Sequence, residues 1–153
     1  MSDLTYCGYV ALVGRPNVGK STLLNTLLEQ KLSITSRKPQ TTRHRILGIS
    51  TEKTHQFIYV DTPGIHGQVN KAVNRLMNKA ADYALFDVDS IVFVIEGTRL
   101  QDDDMRVLEK LKRTDTPVVL AINMVDKIKD KSVILPHIEK MKASHEFKHI
   151  IPL

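Results

Sequence analysis

The sequence predicts an α/β fold, a mainly parallel sheet with helices on both faces. Three observations carry this. Strand-like and helix-like segments alternate along the chain, the apolar runs of the strands are continuous ("IVFVI" at 91–95, "VVLAI" at 118–122), and the first strand leads into a glycine-rich turn that opens a helix. Continuous apolar strands are buried on both faces, so helices must cover the sheet above and below.

The elements follow in order. "YCGYVALV" predicts a strand over 6–13, and a helix over 19–29 carries Leu23, Leu24, Leu27 and Leu28 on one face. After a polar segment, 31–45, "RILGIS" and "QFIYVD" flank the turn "TEKTH" and predict a two-stranded hairpin. "DTPG" ends its second strand. Val69, Val73, Leu76, Met77, Ala80, Ala81 and Ala84 recur at helical spacing, which predicts a helix over 69–85 whose apolar stripe packs on the core. The strand "SIVFVIEG", a helix over 102–113, the strand "PVVLAIN", a helix over 131–144 and a short strand "HIIPL" complete the pattern. The chain carries no internal repeat, linker or low-complexity tract.

Composition is that of an ordinary globular domain: 153 residues, 42% apolar and 25% charged. This length suffices to bury a core without disulfides. No apolar run approaches the 18 or more residues of a membrane span. No secretion signal opens the sequence, so the expected location is the cytoplasm. Cys7 is the one cysteine and is expected to be a buried structural thiol. The net charge of +5 is partly concentrated in Lys31, Arg37, Lys38, Arg43, His44 and Arg45, a stretch without acidic residues. It is either a solvated loop or a surface facing phosphate or RNA.

In parallel sheets ligands sit beyond the C-terminal strand ends. Three short sequences fall there. The first, "GRPNVGKST" (Gly14, Arg15, Pro16, Asn17, Val18, Gly19, Lys20, Ser21, Thr22), fits G-x-x-x-x-G-K-[ST] between a strand and a helix. Such a turn points backbone N–H groups inward at the positive end of a helix, which suits a phosphate chain. Lys20 is expected to reach the β- and γ-phosphates and Ser21 to ligate Mg²⁺. In the second, "DTPG", Asp61 can hold Mg²⁺ through water and the Gly64 N–H can meet a γ-phosphate oxygen. The third, "NMVD", bears on the base: the Asp126 carboxylate accepts two hydrogen bonds from guanine N1 and N2 and would face an acceptor in adenine. Leaving it unpaired is costly, so GTP is favoured over ATP. Asn123 braces the loop and faces the base edge.

The order and spacing of "GRPNVGKST", "QTTRH", "DTPG" and "NMVD" resemble translation-factor-class GTPases. The longer strings "SITSRKPQTTRHRILGI" and "YVDTPGIH" are similar to the Era-type bacterial family across essentially the whole chain. The resemblance implies a three-layer P-loop NTPase of the Ras-like G-domain kind, binding GTP or GDP with Mg²⁺. It implies a GTP-hydrolysing switch in small ribosomal subunit assembly and ribosomal RNA maturation. A C-terminal KH domain would hold the RNA, and the full-length protein would sit peripherally at the inner membrane, with no stable protein partner. Residues 1–153 are read as the G domain, ending before a Ser-Ala guanine-backing loop, a last helix and the KH domain. In "QTTRH", Thr42, ahead of Thr41, is implied to complete the Mg²⁺ shell. Loss of the Thr42 and Gly64 contacts on γ-phosphate release would relax both loops. A non-catalytic RNA or ribosome docking module is the alternative, and an ATPase on the same fold is disfavoured by Asp126.

Two residues depart from the family pattern. Ile65 stands where Ras-type enzymes have a water-orienting glutamine, so slow intrinsic hydrolysis is expected, with help from another group, a partner or a cation. Asn17 matches an asparagine that ligates K⁺ in some relatives, the alternative being a residue that only shapes the turn. Met124 replaces a lysine; it supplies apolar cover but no charge, which predicts weaker binding with specificity kept. "HEFKH" (145–149) fits H-E-x-x-H, but its second histidine enters a strand and no third ligand follows, so it is set aside as a zinc site. Asp102, Asp103 and Asp104 suit the first turn of a helix by its dipole. His66 is read as solvent-facing.

Overall fold

The computed structural model describes residues 4–29, 45–61 and 87–153, with Glu29, Arg45 and Asp61 placed by their backbone alone. Thr41, Thr42, Gly64, Ile65, His66, the basic residues 31–44 and the helix expected over 69–85 lie outside the described residues. The described elements are β1 (Tyr6–Val13), α1 (Lys20–Glu29), β2 (Arg45–Glu52), β3 (His55–Asp61), β4 (Ser90–Glu96), α2 (Asp102–Leu111), β5 (Val118–Asn123), α3 (Ile134–Ser144) and β6 (His149–Pro152).

Six strands form one sheet in the order β2-β3-β1-β4-β5-β6. All neighbours are parallel except the β2–β3 hairpin, whose Glu52↔His55 pair closes a two-residue turn. Because side chains alternate along a strand, each strand feeds both faces. On one face Leu12 and Tyr59 meet Leu24 and Leu28 of α1, and Val94 and Ala121 meet Val18. On the other, Ile91, Phe93, Ile95, Leu120 and Ile122 pack with Val107, Leu108 and Leu111 of α2 and Met141 of α3. Each such buried Val, Leu, Ile, Phe or Met side chain stabilises the fold by about 1.5–3 kcal/mol. The α/β class with helices on both faces therefore stands.

The topology selects an edge for ligands. β1 lies centrally, with β3 on one side and β4 on the other, so the chain leaves it in two directions and opens a crevice at its C-terminal end. The register places Asp61 opposite Leu12, Phe93 opposite Val13 and Asn123 opposite Glu96, bringing the ends of β1, β3, β4 and β5 to one edge.

Several expectations are corrected. Cys7 is exposed, not buried, because β1 pairs with β4 only from Val10 onward and its first residues have one open flank. Its Sγ donates to Gln56 Oε1 at 3.5 Å. Leu27 is 37% exposed; α1 rests on the sheet through Leu24 and Leu28. The hairpin turn is Lys53–Thr54 rather than the five residues 51–55. The helix expected over 131–144 opens with a 3₁₀ turn, Lys131–Val133, and becomes α-helical at Ile134. Pro136 accounts for this start, since proline fits a first turn, where its missing N–H has no helical partner to lose. α2 stops at Leu111, two residues early, ahead of "TDTP". No helix of the described residues is long and apolar enough to cross a membrane.

Candidate functional site

The loop between β1 and α1 is shaped by three residues of positive φ: Gly14 (148°), Asn17 (64°) and Gly19 (94°). Two of these must be glycine for a second reason. A Cβ on Gly14 would lie 2.3 Å from the Val94 carbonyl oxygen, and one on Gly19 would lie 2.2 Å from Asn123 Nδ2. Between them Pro16 and Asn17 are exposed, while Val18 is fully buried and anchors the loop to Val94 and Ala121.

Lys20 is the first residue of α1, where the helix N-terminus already favours negative charge. Its ammonium donates to the Gly14 and Arg15 carbonyls, each at 2.7 Å, so the cation is held across the loop mouth. Ser21 and Thr22 follow in the first turn and are exposed. This is a fit for a phosphate group: a glycine-dependent concave backbone, a helix N-terminus and a tethered cation, with the Ser21 hydroxyl open to a divalent ion.

β5 delivers the second part. Asn123 Nδ2 donates to the Val18 carbonyl at 2.9 Å, the bracing contact expected of it. Met124 adopts left-handed backbone (φ 61°) and leads into a 3₁₀ turn, Val125–Lys127. Its methyl group lies 3.5 Å from the position of a Gly19 Cβ, so it covers the loop as the apolar stem of a lysine would. Asp126, on that turn, is exposed. Lys131 donates to the Val125 and Asp126 carbonyls, and the Val125 N–H donates to the Leu153 carbonyl at 3.0 Å, fixing the turn from both sides. Asp61 ends β3 on the same edge by its backbone.

Several residues near the site were not legible as partners. The Lys127 ammonium donates to Met124 Sδ at 3.3 Å, bringing a cation beside the methionine. Arg15, expected among the nucleotide-binding residues, turns its guanidinium into the protein. Its Nη2 donates to Glu96 Oε2 at 2.6 Å and its Nε to Asp104 Oδ2 at 3.1 Å. Burial opposes its charge, but the Glu96 hydrogen bond and Asp104 outweigh it and hold the pKa above the ordinary value. Asp104 is thus more than a dipole complement. The signal for it was the spacing Gln101-x-x-Asp104, a capping pattern: the Gln101 N–H donates to Asp104 Oδ2 at 2.9 Å. His145 caps α3 and His149 opens β6, so "HEFKH" does not lie on one helical face. Among the described residues no group of three or more His, Cys, Asp or Glu could hold a metal.

A glycine-shaped loop between a central parallel strand and a helix, with a lysine across its mouth and an Asn-x-x-Asp turn behind it, defines the P-loop nucleotide-binding class. Residues 9–124 match the family described as 50S ribosome-binding GTPase. The chain belongs to that family. It is 62% identical over 149 residues to the GTPase Era of Glaesserella parasuis and 60% identical over 151 residues to that of Haemophilus influenzae. These alignments cover 97% and 99% of this chain and 50% of each relative, so the chain spans about half the length of the curated relatives it matches. Among solved structures it is similar to Era in complex with MgGDPNP and nucleotides 1506–1542 of 16S ribosomal RNA (39% identity, TM-score 0.72, 97% of this chain and 51% of that one). It is also similar to a variant of Aquifex aeolicus Era bound to GDP.AlF4⁻ (39% identity, TM-score 0.69, 96% and 50%). The FeoB G domain of T. maritima, 24% identical with a TM-score of 0.59 over 96% of this chain and 86% of that one, shares the fold.

Proposed function

We propose that residues 1–153 form a guanine-nucleotide-binding domain that hydrolyses GTP to GDP and phosphate. The observation that supports it most is the Asn123–Val18 bond, which joins a base-recognition turn to a phosphate loop. Catalysis in this reading is positioning and electrostatics. Lys20 and the loop N–H groups stabilise phosphate charge. Ser21, Thr42 and Asp61 hold Mg²⁺, which supplies neutralising charge when bound, and the Gly64 N–H meets the γ-phosphate. Asn123 and Asp126 choose the base, under Met124.

Competition of GDP against ADP, with Mg²⁺ present, is the test. The expected preference for GDP is roughly a hundredfold or more, lost in Asp126→Ala. Equal binding of the two purines by the parent chain overturns the reading.

Asn17, exposed and in left-handed backbone at the loop tip, is assigned to a K⁺ ion that assists hydrolysis. Turnover is expected to be faster in K⁺ than in Na⁺ buffer; equal rates remove the ion. For the partner we infer small-subunit ribosomal RNA, supported by the likeness to Era bound to a 16S fragment. Because the family description names the 50S subunit, a salt-dependent titration uses RNA from both subunits, with and without GTP. A cytoplasmic site of action with peripheral contact at the inner membrane belongs to the same proposal through the family resemblance, and cell fractionation tests it.

A further inference from the structure

Arg15 is the first loop residue after Gly14, where a guanidinium could itself hold phosphate. Its side chain is instead only 11% exposed and bridges two elements, the last residue of β4 (Glu96) and the first turn of α2 (Asp104). The fork of a guanidinium is suited to this, since Nε and Nη2 reach two carboxylates in different directions; a lysine offers one point of charge.

The environment makes the contact demanding. Asp104 is fully buried, and its Oδ1 has no hydrogen-bond partner among the described residues, so the balance among them is two carboxylates against one guanidinium. Without Arg15 a buried carboxylate is left uncompensated beneath a loop built for anions. The same residue touches the chemistry by its other end: the Arg15 carbonyl accepts one of the two Lys20 hydrogen bonds. The loop is therefore held at two points, from β5 at Val18 and from β4 and α2 at Arg15, with exposed Pro16 and Asn17 between.

We infer that Arg15 is a positioning residue: its side chain, held by Asp104 and Glu96, fixes the loop backbone and through it the Lys20 ammonium, without touching nucleotide itself. This rests on the guanine-nucleotide reading above. It places part of the site's preorganisation in α2, outside the motifs that name the family.

The test is release of a fluorescent GDP analogue with Mg²⁺, together with melting temperature, in the parent chain, Arg15→Met, Arg15→Lys and the double variant Arg15→Met/Asp104→Leu. Arg15→Met is expected to melt lower and to release the analogue about tenfold faster. In the double variant an apolar pair replaces the buried ions, so the melting temperature recovers apart from the lost Gln101 cap while release stays fast. Release that returns to the parental rate along with the melting temperature overturns the inference, as does unchanged release in every variant. If the double variant does not fold, Arg15→Lys decides, because it keeps the charge and loses the fork; a parental release rate there overturns the inference. A parent chain that binds no guanine nucleotide defeats the functional reading and this inference together, whereas a binding parent with unaffected variants defeats this inference alone.

Discussion

Gly19 and Gly97 both have positive φ, 94° and 53°, yet they differ in what a methyl group would meet. At Gly19 it overlaps Asn123 Nδ2, which is already committed to the Val18 carbonyl; at Gly97 the nearest atoms are 3.7 Å away on Ile128. Gly19→Ala is expected to cost about 1–3 kcal/mol in backbone strain and to break the bond between loop and base turn. Gly97→Ala should cost about 1 kcal/mol and spare the site. Melting curves and GDP titrations of the two variants check this, and equal loss of nucleotide in both would refute the steric account. At this scale the loop glycines, Lys20 and Asn123 were legible because a motif fixes residue type and spacing. Cys7 was misread as buried because exposure depends on which strand flanks it, and the partners of Arg15 lie 81 and 89 residues away in sequence.

The β2–β3 hairpin shows what an element leaves unoptimised. Its two-residue turn puts Lys53 at φ 52°, a conformation that an L side chain resists and glycine accepts. Lys53→Gly should therefore raise stability by about 0.5–1 kcal/mol, seen as a higher urea midpoint. A lower midpoint would mean that the lysine side chain contributes more than its backbone costs. The strands themselves were legible to within a residue or two, since β4 and β5 are continuous apolar runs. The 3₁₀ turns at Val125–Lys127 and Lys131–Val133 were not, because they arise from a left-handed Met124 and from Lys131 folding back on backbone carbonyls rather than from any period.

At the scale of the whole molecule, stability is expected to fall in acid through two histidines, buried His137 and half-buried His145. His137 has its pKa lowered from 6.5 by burial and then by Lys140, and its buried Nε2 has no partner among the described residues; His145 is lowered by burial and then by Lys112, with Glu146 opposing. Below pH 6.5 the unfolded chain takes up protons that the folded chain resists, so stability present above that pH is lost as pH falls toward the lowered folded values. Urea midpoints at about pH 7.5 and about pH 5.5 should differ, and His137→Leu should narrow the gap. An unchanged gap would assign the loss to other groups. What the amino-acid order determined by itself was local: strand, turn and helix identity, and a phosphate loop whose chemistry follows from residue type and spacing. Which strands adjoin, and hence that Asn123 reaches Val18 and that Asp104 and Glu96 reach Arg15, was decided only when the sheet assembled, because those contacts depend on the register of β1, β4 and β5. Local rules act over a few residues, and packing joins segments that the chain keeps far apart.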